Sequence, residues 1–226
     1  MSEEKRVALV GATGLVGQAV LEAAQATGGL SLLALARREV PASFGASVKV
    51  AAPERWPSLL AQMAPQVLIC ALGTTWSKAG RNEAAFRAVD YDLVLQLARA
   101  ARDSGARQAV VVSSVGADPA AKSFYLKVKG EMERGVAQLS FMRLDILRPG
   151  LLRGERSGDR RLKERAAIAF SPVMDRLLPA ALSRYRSVAA DEVAQAALAL
   201  TRPVEAGSFV HHNDDIRRLA LTLEKS

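Results

Sequence analysis

Tyr125 and Lys129 stand four residues apart in the stretch Tyr125-Leu-Lys-Val-Lys129, which reads as helix. That spacing puts both side chains on one helix face. A phenol titrates at about 10 in isolation, too high for an efficient base at neutral pH, but a neighbouring ammonium stabilises the phenolate and draws that value down. A tyrosine so placed can give or take the proton on a carbonyl or hydroxyl oxygen while a nicotinamide handles hydride. Ser113 and Ser114 lie just upstream, at the expected end of a strand. From there Ser114 would orient the same oxygen, and Lys129 would also hold the nicotinamide ribose. The competing reading is plainer: Tyr125 packs across its helix, and Lys127 and Lys129 are solvated.

A second group of residues could bind what the first would use. Gly11-Ala-Thr-Gly14-Leu-Val-Gly17 directly follows an apolar run and opens a helical one. In that setting Gly11 makes a tight turn, Gly14 lets the backbone approach a pyrophosphate, and Gly17 allows close helix packing. Free amides and the positive end of the helix dipole then face the phosphates. The second apolar run ends in Ala36-Arg37-Arg38. Arginine there suits a 2′-phosphate, where an acidic side chain would accept from a free 2′-hydroxyl. NADP is therefore favoured over NAD, although solvated strand-end arginines would look the same. Leu72 and Gly73, in Cys70-Ala-Leu-Gly-Thr-Thr75, are expected as cofactor walls. Cys70 reads as buried packing and not as a nucleophile.

These residues need a scaffold that brings strand ends and helix starts together. Strands are expected at 6–10, 30–36, 48–50, 67–71, 108–113 and 144–148, and helices near 14–26, 56–63, 86–104, 124–139 and 191–201. The strands are apolar throughout, as strands are when helices cover both faces of a parallel sheet. The fold class that follows is α/β, a doubly wound parallel sheet of Rossmann type. After Pro149-Gly150 the rhythm breaks, and residues 151–187 read as a small C-terminal cap region within a single domain of residues 1–226. Asp191 is expected as a helix cap, His211-His212 with Asp214-Asp215 as a polar turn, and Trp56 and Trp76 as packing or cap contacts.

Composition narrows the function classes. The chain of 226 residues is 50% apolar and 24% charged, with one cysteine and two histidines, too few soft ligands for a zinc cage. No apolar run has the length of a membrane span, and the N-terminus passes into the first strand without the pattern of a secretory signal, so a cytoplasmic setting is expected. Of the formal charge of +8, a net +5 falls between Leu151 and Arg186, where nine basic residues face four acidic ones. Such a tract suits anionic partners, but it lacks interleaved aromatics and a nucleic-acid-binding motif, which argues against nucleic acid.

Taken together, these stretches resemble the atypical short-chain dehydrogenase/reductases, and within them the Tat-interacting-protein-like oxidoreductases. The resemblance is carried by residues 11–17, Arg37-Arg38, residues 70–75 with Lys78-Ala-Gly80, Ser113-Ser114 with Gly116-Ala-Asp118, residues 124–131, and Arg148-Pro-Gly-Leu-Leu152. It implies NADPH held by Thr13, Gly14, Leu15 and Val16, clamped by Arg37 and Arg38, lined by Leu72 and Gly73, and completed by Tyr125, Lys129 and Leu152. Tyr125 would be the acid/base, and Arg160 a weaker carry-over. The expected activity is NADP(H)-dependent oxidation or reduction of a small carbonyl or alcohol. The alternative is a non-catalytic NADP(H) sensor that binds a protein partner, or a homo-oligomer.

Overall fold

The computed structural model describes residues 4–40, 47–154, 185–202 and 205–224. Arg160 and most of the expected cap and its basic tract lie outside the described residues.

The chain alternates strand and helix: β1 (Lys5–Val10), α1 (Leu15–Gln25), β2 (Leu30–Ala36), β3 (Ser47–Val50), α2 (Trp56–Met63), β4 (Val67–Cys70), α3 (Glu83–Arg87), a π-helical segment (Ala88–Leu93), α4 (Val94–Asp103), β5 (Gln108–Val112), α5 (Phe124–Ala137) and β6 (Arg143–Leu147). After two short strands, β7 (Leu152–Arg153) and β8 (Val188–Ala189), come α6 (Ala190–Ala199), β9 (Gly207–His211) and α7 (Asn213–Glu224). Seven strands form one sheet in the order β3-β2-β1-β4-β5-β6-β9. Every neighbouring pair in it runs parallel.

Alternation along each strand feeds two cores. Val7 and Leu9 of β1 join Val20, Leu21, Val193, Leu198 and Ile216 on the face of α1, α6 and α7. Ala8 and Val10 join Leu60, Leu97, Met132 and Ile146 on the face of α2, α4 and α5. Both faces are thus buried, which is why the strands read as unbroken apolar runs. Strand order reverses between β1 and β4. In open parallel sheets the crevice at the carboxyl ends beside such a reversal is where ligands bind.

Three expectations are corrected. The single helix over 86–104 is α3, a π-helical stretch and α4 in succession, beginning at Glu83. The polar turn after His211 is a helix start: Asp214 and Asp215 occupy the first turn of α7, where they meet the positive end of its dipole. Asp191 lies inside the first turn of α6 rather than capping it. There the Glu192 carboxylate accepts from the Ala189 N–H at 2.8 Å. Of the two tryptophans, Trp56 is buried and donates its indole N–H to the Ala51 carbonyl at 3.0 Å.

The β6–β9 edge carries a buried ionic knot. Arg143 donates from Nε to Asp145 Oδ2 at 2.6 Å and from Nη2 to Oδ1 at 2.9 Å, and His211 Nε2 lies 2.8 Å from Oδ1. The Arg143 guanidinium also lies 4.3 Å from the Phe209 ring centre. Asp145 is completely buried. Replacing it leaves a buried guanidinium without its counter-charge, which typically costs about 3–5 kcal/mol. Asp145→Ala is therefore expected to lower unfolding free energy by about that amount in a denaturant titration; a loss under about 1 kcal/mol would contradict this account.

Candidate functional site

Three backbone segments meet at the carboxyl end of β1. Gly11 has φ of +90°, and a Cβ on it would lie 2.4 Å from the Ala71 carbonyl oxygen, so both the turn and the approach to β4 require glycine. A Cβ on Gly17 would lie 2.1 Å from the Gly11 oxygen, so α1 seats against the turn only because that atom is missing. The Gly14 N–H donates to the Gly11 carbonyl at 2.9 Å and closes the loop. Helix α1 then starts at Leu15 with no side-chain cap and no acidic residue in its first turn. Its first amides have no partner within the helix and point outward as an anion cradle.

That cradle opens onto a cavity of about 570 Å³ lined by residues 11–14, Arg37, Arg38 and residues 71–75, with Trp56 and Lys78 also on its wall. Of the predicted cofactor residues, Gly11, Thr13, Gly14, Arg37, Arg38, Leu72 and Gly73 are thereby brought together. Leu15, Val16, Gly17, Tyr125, Lys129 and Leu152 do not line it. Val16 is buried in the core, Leu15 and Leu152 pack against that core, and Gly17 lies under the turn. From these positions the first-turn residues can offer only main-chain amides.

The tyrosine and lysine part ways in their surroundings. Tyr125 is 38% exposed, while the Lys129 side chain is 5% exposed and its Nζ lies 2.7 Å from Asp90 Oδ1. Asp90 is completely buried, and its Oδ2 accepts from the Thr74 N–H at 2.8 Å. Burial alone would drive the Lys129 pKa down, but the Asp90 carboxylate, with a smaller contribution from Tyr125, outweighs it and holds the ammonium above the ordinary lysine value. A Cβ on Gly73 would lie 3.5 Å from Asp90 Oδ1 and 3.7 Å from Lys129 Nζ. The main chain at Gly73 therefore separates the cavity from the ion pair.

Asp90 was not legible in the sequence. It looks like one more acidic residue on a helix; it lies in the π-helical segment, four residues after the buried Phe86 and four before the buried Val94, on the inward face of that stretch. Ser114 is half-buried and its hydroxyl makes one long contact, 3.4 Å to the Val115 oxygen. The Ser113 hydroxyl is buried with no hydrogen-bond partner among the described residues. Strand alternation places Val111 with the α5-side core and Val112 with the opposite one, which puts Ser113 on the side of α5.

Helix α5 is fixed in three ways. A Cβ on Gly130 would lie 2.3 Å from the Asp118 carbonyl carbon, so the helix rests directly on that turn. Glu133 accepts a forked pair from Arg148 at 3.0 Å and 2.5 Å, and Glu131 accepts from Arg87 at 2.5 Å. Cys70, at the end of β4, is buried, which pushes its thiol up to about 11. It is unsuited to act as a thiolate nucleophile near neutrality.

Comparison with known proteins follows the fold and revises two expectations. Residues 50–182 match the model of the HIM1 family. The chain is 43% identical over 159 residues to the mitochondrial protein FMP52 of Saccharomyces cerevisiae, covering 67% of this chain and 68% of that one. It is 40% identical over 197 residues to mitochondrial FMP52 of Eremothecium gossypii, covering 85% and 86%. Among solved structures, MoeE5 in complex with UDP-glucose and NAD is similar at a TM-score of 0.68 and 15% identity, over 97% of this chain and 82% of that chain, a likeness of fold. The expected place among Tat-interacting-protein-like oxidoreductases is therefore corrected. A glycine-rich βα turn recurs across dinucleotide-binding folds, and a Tyr and Lys four apart recur by chance on helices, so neither selects one branch. The cytoplasmic expectation is corrected too, because the relatives are named as mitochondrial proteins.

Two outcomes follow from the buried groups. The raised Lys129 pKa means its pairing contributes fully below the unfolded lysine value of 10.5 and is lost only as pH climbs through the higher folded one. Asp90→Asn removes that counter-charge, so alkaline unfolding should move to lower pH and stability at pH 7 should fall by about 3 kcal/mol or more; an unchanged pH profile would contradict the pairing. Cys70 should resist thiol reagents at pH 8 in the native state and react fully once unfolded.

Proposed function

We propose, from the premise that the chain belongs to the HIM1 family, that it is an NADP(H)-dependent oxidoreductase acting on a small carbonyl or alcohol. The observation that carries this reading is the single cavity whose wall includes both the uncapped turn at Gly11 to Gly14 and the two guanidinium groups of Arg37 and Arg38. Pyrophosphate suits the first and a 2′-phosphate the second. The relatives' names support a mitochondrial setting for the reaction.

The residues present fit such a carrier. The turn from Gly11 to Gly14 lies on the cavity wall, and no acidic side chain stands in the first turn of α1 to repel a phosphate. When bound, the nicotinamide would supply or accept hydride. The protein's own part is proton management and orientation. Tyr125 exchanges the proton on the substrate oxygen, and Lys129, kept charged and oriented by Asp90, supplies the local positive field. Ser113 and Ser114 offer hydroxyls at the end of β5 to orient that oxygen. Asp90 acts through Lys129 and is a positioning residue.

Titration calorimetry on ligand-free protein is expected to show NADPH binding more tightly than NADH. Arg37→Ala with Arg38→Ala should weaken NADPH by about 10- to 100-fold, the value of one or two charge-assisted hydrogen bonds, and leave NADH unchanged. Absence of heat with both coenzymes would overturn the reading. With NADPH and a broad carbonyl panel, Tyr125→Phe should cut turnover by about 100-fold or more while NADPH affinity is retained.

A further inference from the structure

The chain holds six Phe, two Trp and three Tyr, and four of these eleven rings gather beside Tyr125's end of α5. Phe86 is the hub. It is completely buried, with Trp76 at 6.3 Å, Phe124 at 5.8 Å and Tyr125 at 5.7 Å between ring centres, all at tilts near 60°. Trp76 and Phe124 also meet each other at 5.7 Å. The Phe86 contacts to Phe124 and Tyr125 are edge-to-face, and the two Trp76 contacts are tilted, geometries that favour defined ring orientations. The rings at the surface of this cluster are consequently held in place although Trp76 is 42% and Tyr125 38% exposed.

An exposed, immobilised tryptophan is unusual in a chain that buries its other one at 2%. Its position connects it to the site. Trp76 directly follows residues 71–75, which line the cavity, and it shares the Phe86 hub with Tyr125. Trp76 does not itself line the cavity; it and Tyr125 are each packed on Phe86, so a substrate whose oxygen reaches Tyr125 lies one ring away from Trp76. A flat π-surface gains from a ring edge or face, whereas a puckered saturated ring of equal size cannot align with it.

We propose that Trp76, with Phe124 behind it, is the wall that selects the substrate, and that the substrate class is an aryl carbonyl compound, one whose C=O is conjugated to a planar ring. The inference rests on the oxidoreductase reading above. In the reducing direction a new C–H bond forms at the carbonyl carbon with hydride from a reduced nicotinamide carrier, the C=O π bond breaks, and the oxygen takes the Tyr125 proton, which solvent restores. The products are an aryl alcohol and the oxidised carrier.

The test uses acetophenone and cyclohexyl methyl ketone, which differ in the planarity and conjugation of the ring. Tryptophan emission is recorded in the full chain saturated with NADPH. The expectation is that acetophenone quenches the solvent-exposed component, which belongs to Trp76, and binds about three- to tenfold more tightly than the cyclohexyl ketone, whose affinity is read by competition. In Trp76→Leu the quenching and the preference both vanish, while NADPH affinity and circular dichroism match wild type. Trp76→Phe restores the preference without the emission. Equal affinity for the two ketones in wild type, or a preference that survives Trp76→Leu, overturns the inference. Failure of NADPH to bind at all is a separate result and overturns the oxidoreductase reading on which it stands.

Discussion

Everything at the candidate site hangs on main chain packed against main chain. The end of β1, the first turn of α1 and the end of β4 come so close that a methyl group on Gly11 or Gly17 would overlap backbone atoms at 2.4 Å and 2.1 Å. Such contacts cannot be relieved by a side chain moving aside. They fix the origin of α1, and with it the direction in which its free amides point. They also fix how far the loop after β4 can travel before it must turn, which sets the position of Gly73 above the ion pair. A cavity formed this way has a rigid floor, and its specificity then depends on the side chains at its rim.

The second constraint is electrostatic. Taking a lysine and an aspartate out of water is costly, and their attraction offsets that cost only with good geometry and satisfied remaining groups. Asp90 meets the condition by giving one oxygen to Lys129 and the other to the Thr74 amide, so the same carboxylate that anchors the ammonium also pins the loop along the cavity. A single buried acid thereby couples α5, the β4 loop and the π-helical segment between α3 and α4. That carboxylate lies in the π-helical segment, on the inward face it shares with the buried Phe86 and Val94.

How much could be read from the residues alone follows from which forces are local. Six of the seven strands in the parallel sheet were legible to within about a residue, because burial on both faces writes unbroken apolar runs into the sequence; β9, at the exposed edge, has no such run. The glycine turn after β1 was legible because glycine is the only residue its φ and its contacts admit. Asp90 and the ring cluster around Phe86 were not, since each owes its role to partners far away in the chain: Lys129 is 39 positions from Asp90, and nothing at either position announces the other. Helix α7 was missed for a different reason. Its polar opening, Asn213 with Asp214 and Asp215, has the composition of a turn, and its apolar positions matter only against α6. The family-level reading rested on short stretches, of which the glycine turn is common to dinucleotide-binding folds, whereas the family shows over longer spans of the chain.

The distribution of positive charge gives the rim its character. Lys129, Arg87, Arg143 and Arg148 each meet a carboxylate within 2.5–2.7 Å, so their charges are answered inside the protein. Arg37 and Arg38 differ: both are exposed on the cavity wall, and among the described residues neither meets a carboxylate. A guanidinium already forked to an acid has little left to offer a ligand, whereas one facing solvent can exchange its water for phosphate oxygens in the same geometry. The chain thus spends its acids on the cations that build the scaffold and leaves two guanidiniums beside the phosphate turn uncompensated. The preference proposed for a carrier with an additional phosphate rests on that asymmetry.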